Sequence, residues 1–288
     1  MTSSPAAPPP AVRVVTIVFN PGQELETFVD SLATAATGPV ELVIVDNGTD
    51  PEVTDRVAAS AGARVVRTGQ NLGYGGGANA GAAGADQDWL VVANPDVIWH
   101  AGALDTLLAA GRRLPGAGSL GPALLNEDGT VYPSARELPS LTQGAGHAVL
   151  GKVWPGNPWT RAYHRRQESV GTERAAGWLS GACLLLRREA FEAVGGFDAD
   201  YFMFFEDVDL GERLGRAGWA NVYVPQAEVV HVGGVSWKAR PSRMISAHHA
   251  SAKQYLHRRY HRWYQWPVRV AISAGLGLRE KLELRAAR

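Results

Sequence analysis

Four short apolar runs lie in roughly the first hundred residues, each ended by a loop of Gly, Asn, Asp or Pro and separated by helix-length stretches. That pattern restricts the chain to an α/β architecture. Residues 12–19 stop at Asn20-Pro21-Gly22, residues 40–45 at Asp46-Asn47-Gly48, residues 63–67 before the loop 69–73, and residues 89–93 at Asn94-Pro95-Asp96. Continuous apolar runs of this length are strands covered on both faces. Between them Leu25, Phe28, Val29 and Leu32 recur at helical spacing, Pro51 stands in the first turn of a helix, and a small-residue helix runs to about Asp86. The alternation predicts a mostly parallel central sheet flanked by helices, with right-handed crossovers and a Rossmann-like nucleotide-binding half over about the first 115 residues.

Beyond Pro115 the pattern changes. A hairpin is expected around Asn126-Glu127-Asp128-Gly129, followed by an irregular stretch to Thr172. Strand character resumes at 182–186, a short helix at 188–194 ends on Gly195-Gly196, and a helix at 206–217 stops at Gly218. Two more strands are expected at 220–224 and 228–232.

At 288 residues the chain can bury a full core. Its zero net charge conceals an asymmetry, because residues 240–288 hold eleven Lys and Arg against Glu280 and Glu283. Nucleic acid is one partner for such a segment, but Trp263, Trp266, Val268, Ile272, Leu276 and Leu278 suit an anionic membrane surface better, and a solvated helix is the plain alternative. No apolar run approaches the ~20 residues needed to cross a bilayer. Residues 1–10 lack a basic patch followed by an apolar stretch, so they read as a disordered lead-in rather than a secretory signal. The lone Cys183 rules out an internal disulfide and a cysteine zinc site, and a reducing cytosol is the natural compartment.

Three places combine residues capable of chemistry. Asp96 emerges at the carboxyl edge of the sheet, where a hard cation such as Mg²⁺ or Mn²⁺ takes carboxylate ligands, although Asn-Pro-Asp is also an ordinary turn. Glu206-Asp207 follows the aromatic block Tyr201-Phe202-Met203-Phe204-Phe205 and opens a helix. Complementing a helix dipole explains Asp209 well, but explains two adjacent acids against five bulky side chains poorly. His231 ends a strand, a position more often structural than metal-binding. Asp46 is placed to accept hydrogen bonds from a base or ribose. Gly73-Tyr74-Gly75-Gly76-Gly77-Ala78 matches the dinucleotide fingerprint but follows the third strand rather than the first, so it reads as a decoy.

As an ordered set, residues 14–20, 43–48, 71–79, Asn94-Pro95-Asp96, Gly195-Gly196-Phe197-Asp198, 204–210 and His231 resemble glycosyltransferase family 2, of the GT-A fold, and most of all bacterial rhamnosyltransferases acting on lipid-linked acceptors. The resemblance spans about residues 12–235. It implies inverting transfer from a nucleotide sugar, with dTDP-L-rhamnose favoured over glucose or galactofuranose donors, to a GlcNAc-diphospho-polyprenol type of saccharide in cell-wall or surface polysaccharide synthesis. Asn20, Asp46, Asn71, Gly73, Asn94 and Asp96 would line the donor site. Asp96 and His231 would hold Mg²⁺ or Mn²⁺, with Asn94 replacing the first acid of the D-x-D motif. Asp207 would be the catalytic base, and Trp178, Ser180, Gly181 and Glu206 would lie by the acceptor.

The implied organisation is a lead at 1–11, a nucleotide-sugar half at 12–115, an acceptor half at 116–235 and a basic, aromatic helical extension at 236–288. The extension, through Arg258, Arg259 and Arg262 beside Trp263 and Trp266, would bring a cytoplasmic enzyme to the inner face of the membrane. Oligomers are compatible with this reading, and nucleic acid is not expected as a partner. Two other classes stay open: an oxidoreductase using the glycine run for NAD, and a catalytically silent sugar-nucleotide binding module.

Overall fold

β1 (Val12–Val18) lies between β2 (Val40–Asp46) and β4 (Trp89–Ala93), parallel to both, with β3 (Arg64–Arg67) at the edge beyond β2. The structure, a computed structural model, describes residues 11–139, 171–233 and 241–286. The expected disordered lead and most of the irregular stretch before Thr172 lie outside the described residues.

Side chains of the parallel strands alternate between two buried faces. Val12, Val14, Val91 and Ala93 meet α1 (Gln23–Ala35) and α4 (Ala103–Arg113) through Phe28, Leu104 and Leu107. Val15, Val43 and Val45 face the opposite way, toward Ala80 of α3 (Gly73–Ala82). α2 (Glu52–Ala61) covers the β2 edge with Val57 and Ala58. α3 ends at Ala82, short of the expected Asp86. Its glycines serve close approach to the sheet, since a Cβ at Gly81 would overlap Val15 and Val45. The buried Arg13 pairs with Glu41 at 2.7 Å and donates to the Ala83 and Gly84 carbonyls, placing a cation at the carbonyl end of α3.

The second half enters the same sheet with mixed direction. β5 (Val97–Trp99), β6 (Ala117–Leu125), β11 (Cys183–Arg187) and β12 (Ala220–His231) extend it in the order β3-β2-β1-β4-β11-β6-β12-β5. β11 runs antiparallel to β4 and β6, and β12 runs parallel to β6. The sequence reading did not foresee β5 or α4. The expected strands 220–224 and 228–232 form one strand, whose pairing with β6 shifts register between Val224 and Glu228, around Pro225. Proline lacks the N–H for a regular ladder, and a bulge is where a strand tolerates it. The expected hairpin forms between β6 and β7 (Val131–Tyr132).

A two-stranded ribbon, β8 (Ala135–Arg136) with β10 (Trp178–Leu179), stands beside α6 (Glu206–Arg216), β9 (Arg174–Ala176) pairs with β12, and α5 (Arg188–Ala193) packs on β11 and β6. α7 (Pro241–Arg259) and α8 (Trp266–Ala286) form the C-terminal extension. α7 docks firmly on the body. Tyr255 is buried against Tyr201 and Val208, its hydroxyl donates to Glu212 at 2.6 Å, and Arg259 pairs with the same carboxylate at 2.6 Å.

Candidate active site

Asp96 and His231 meet because β5 pairs with β12. His231 stands opposite Val97, and the Val232 N–H donates to the Asp96 carbonyl at 3.1 Å. His231 Nε2 is thereby 3.2 Å from Asp96 Oδ1 and 3.2 Å from Asn94 Nδ2. The Asp96 oxygen beside the ring is buried and has no hydrogen-bond partner among the described residues. A cation satisfies such an oxygen. No cluster of three His, Cys, Asp or Glu exists among the described residues. Two protein ligands fit Mg²⁺ or Mn²⁺, which fill their remaining positions with phosphate and water, and do not fit structural zinc.

Asp207 is set differently. Phe204 and Phe205 both adopt left-handed backbone, φ 69° and 66°, immediately before α6. Such conformations cost ~1–3 kcal/mol each and persist only where surrounding structure holds them. The C-terminal extension supplies that hold: Ser251 donates to the Met203 carbonyl at 2.8 Å, and His248 and Tyr255 pack on Phe205. The turn aims Asp207 at the β10–β11 loop, where its Oδ2 accepts the Gly181 N–H at 2.9 Å while Oδ1 accepts that of Val208 at 2.8 Å.

Burial raises both neighbouring carboxyls. Burial, then the Asp207 charge, push Glu206 up to about 8 from an ordinary 4.5. Asp207 is raised by burial but held down by the Gly181 and Val208 N–H groups and the Arg136 charge. Glu206 Oε2 has no hydrogen-bond partner among the described residues. The N–H donors on Asp207, against none on Glu206 Oε2, favour the charge on Asp207 and the proton on Glu206.

The two acidic places join through the peptides of Gly181 and Ala182. The Asn94 N–H donates to the Ala182 carbonyl at 2.9 Å, one residue from the Gly181 amide that holds Asp207. The Tyr74 hydroxyl donates to the Gly181 carbonyl, and burial together with Glu206 and Asp207 raises its pKa, so it remains a donor. Tyr74 was missed by sequence reasoning; its position between two glycines of the apparent decoy was the available signal.

The donor-side residues gather at the carboxyl ends of β1 to β3. Asn20, at φ 50°, accepts the Thr49 and Asp50 N–H groups, and Asp46 Oδ1 accepts that of Gly48 at 2.8 Å. Asn71 Oδ1 caps the Gly73 N–H at 2.9 Å, and Gly73 lies so close to Phe202 that a Cβ would overlap its carbonyl. Asn71 and Gly73 thus shape the loop from within.

Of the acceptor-side residues, Gly181 touches Asp207 directly. Trp178 packs on Gly211 of α6, and its Nε1 donates to the Glu137 carbonyl at 3.1 Å. The Ser180 N–H donates to the Ser134 carbonyl at 2.8 Å. Glu206, 7% exposed, is enclosed near Gly75 and Phe197, beside Asp207. A separate cavity of about 360 Å³, bordered by Leu138, Gly211 and Asn221, includes none of these residues in its lining.

The basic residues of the extension also divide. Arg258 pairs with Asp198 and Asp200, and Arg259 with Glu212, so both clamp α7 to the body rather than face a membrane as expected. Trp263 at 83% exposed, with Trp266, Val270, Leu278 and Leu282, forms the free apolar side. No described helix is long and apolar enough to cross a membrane.

The chain is 48% identical over 285 residues to the N-acetylglucosaminyl-diphospho-decaprenol L-rhamnosyltransferase of Mycobacterium tuberculosis, covering 95% of this chain and 92% of that protein. It is 29% identical to rhamnosyltransferase WbbL of Escherichia coli K12, over 61% of this chain and 64% of that one. The fold matches the mannosyltransferase PcManGT of Pyrobaculum calidifontis, solved with GDP-Man and Mn²⁺, with a TM-score of 0.59 and 19% identity over 96% of this chain and 73% of that one. It also matches GalNAc-T7, solved with UDP, GalNAc and Mn²⁺, with a TM-score of 0.57 and 15% identity over 77% and 44% of the two chains. The sheet is that of the GT-A fold. Residues 8–264 match the glycosyltransferase like family 2 sequence family, and the chain belongs to that family of sugar-transferring enzymes.

Proposed function

We propose that the chain transfers L-rhamnose from dTDP-L-rhamnose, with inversion, to a hydroxyl of N-acetylglucosaminyl-diphospho-polyprenol. The observation that carries this reading is the 48% identity, spread over 95% of the chain, with a protein of that named activity. Residues 12–115 form the nucleotide-sugar half, with Asn20, Asp46, Asn71, Gly73 and Asn94 around the donor, and residues 116–235 form the acceptor half.

Asp207 takes the proton of the acceptor hydroxyl as that oxygen attacks the anomeric carbon. The bond from the anomeric carbon to the diphosphate oxygen breaks on the opposite face, and its electron pair leaves with dTDP. The Gly181 and Val208 N–H groups orient the Asp207 carboxylate, whose oxygens have lone pairs to take the incoming proton. Asp96 and His231 would hold a divalent cation, which would supply neutralisation of charge on the departing diphosphate. Asn94 contributes a neutral side chain, so the protein charge around the cation is lower than a pair of acids would give. The exposed apolar side of the C-terminal hairpin rests on the cytoplasmic membrane surface, where a polyprenyl-linked acceptor resides.

The test is turnover with purified chain, Mn²⁺, a synthetic N-acetylglucosaminyl-diphospho-polyprenol and a panel of nucleotide sugars. Release of dTDP with a rhamnosylated lipid product is expected. Preference for UDP-galactofuranose or UDP-glucose, or NAD-linked absorbance change without sugar transfer, would overturn the assignment.

A further inference from the structure

We propose that Arg136 binds the diphosphate of the lipid-linked acceptor, an inference that rests on the acceptor class proposed above. Arg136 lies on β8 directly opposite Trp178 of β10, and three residues after Trp178 the Gly181 amide holds Asp207. Its guanidinium is solvent-exposed yet fixed. Nε donates to the Pro133 carbonyl at 2.7 Å, Nη2 to the Tyr132 hydroxyl at 3.0 Å, and the group sits 5.3 Å from the Tyr132 ring and 5.6 Å from the Trp178 ring.

Neighbouring bonds stiffen this ribbon. The Ser134 carbonyl accepts the Ser180 N–H, Arg174 donates to the Ala135 carbonyl at 2.9 Å, and the Glu137 carbonyl accepts the Trp178 indole. Most exposed arginines beside acidic groups are paired with them. Arg136 pairs with no carboxylate among the described residues, although its charge acts on Asp207. A rigid, unpaired guanidinium with free N–H groups is a receptor for a planar or tetrahedral oxyanion.

Position selects which oxyanion. The donor diphosphate belongs with Asp96 and His231, across the Gly181-Ala182 peptides from this ribbon. On the ribbon's other flank, Leu138 and Trp178 pack with Tyr255 and Leu256 of α7, the base of the hairpin that carries the exposed Trp263 and Trp266. A lipid-linked acceptor has the same order of parts: sugar hydroxyl, diphosphate, apolar tail. Asp207, Arg136 and the hairpin follow that order.

Farnesyl diphosphate, which carries the diphosphate and tail without the sugar, is the probe. Calorimetry on the full chain should give an affinity about tenfold or more lower for Arg136→Gln, with Arg136→Lys in between, as loss of a charge-assisted bond predicts. Affinity for dTDP-L-rhamnose with Mn²⁺ should not change, and the acid limb of the rate profile should move to higher pH as the positive charge near Asp207 is lost. Equal farnesyl diphosphate affinity in wild type and Arg136→Gln, or no binding by wild type, overturns the proposal. A matching fall in donor affinity overturns it too and assigns Arg136 to the donor diphosphate. Rhamnose transfer is read separately: Arg136-dependent farnesyl diphosphate binding without transfer sinks the proposed reaction and leaves this site standing.

Discussion

Asp96 and Asp207 carry the same carboxylate into opposite surroundings. Asp96 sits in the turn joining β4 to β5, with a buried oxygen facing His231 at 3.2 Å and no hydrogen-bond partner among the described residues. Asp207 lies behind an aromatic segment with one backbone N–H on each oxygen and a neutral acid, Glu206, beside it. An oxygen short of donors beside an imidazole seeks a cation. An anion kept charged in dry surroundings, with lone pairs to spare, seeks a proton. On the proposed reading, environment rather than residue type divides metal binding at Asp96 from proton transfer at Asp207.

The hardest blow to that division is Asp207→Asn. Removing a general base costs ~10²–10⁴-fold in turnover, measured as dTDP release at saturating donor and acceptor. Asp96→Ala should act next most strongly, weakening Mn²⁺ activation by about 10–100-fold, read from a metal titration of initial rates. A chelator should abolish turnover while leaving the melting temperature of the donor-free chain unchanged.

Glu206→Gln sharpens the other side of the comparison through stability. A carboxyl raised above 4.5 makes the folded chain bind more protons than the unfolded one, so its effect is harmless at low pH and stability falls as pH rises from 4.5 toward about 8. The glutamine variant should lose that decline and gain roughly 1–3 kcal/mol at pH 8, seen in urea titrations at pH 5 and pH 8. The smallest effect belongs to Ser251→Ala. Loss of its bond to the Met203 carbonyl should cost about 1 kcal/mol and lower kcat a few-fold without changing Mn²⁺ activation, because only the Asp207 side rests on α7.

Much of this arrangement was legible in the residues. Strands β1 to β4 announce themselves as apolar runs ending on Asn, Asp or Gly, and two acids after five bulky side chains mark Glu206-Asp207 as more than a helix cap. What stayed hidden depends on contacts distant in the chain. Apolar runs carry no direction, so nothing in residues 182–186 tells that β11 runs antiparallel. Pro225 reads as a break, whereas the sheet absorbs it as a bulge and so carries His231 to Asp96. The Leu104, Leu107 and Leu108 spacing of α4 was readable and overlooked. Glu206 and Asp207 are indistinguishable as letters, and one contact that sets Asp207 apart, the Gly181 N–H, comes from 26 positions away. Arg258 and Arg259 looked like membrane-facing charges until their acidic partners at 198, 200 and 212 were placed.

The division of labour is tested most directly by calorimetric affinity for dTDP-L-rhamnose with Mn²⁺, measured side by side on Asp207→Asn and Asp96→Ala. The account predicts wild-type affinity for the first variant and a loss of about tenfold or more for the second. Equal losses in both, or a loss confined to Asp207→Asn, would contradict it.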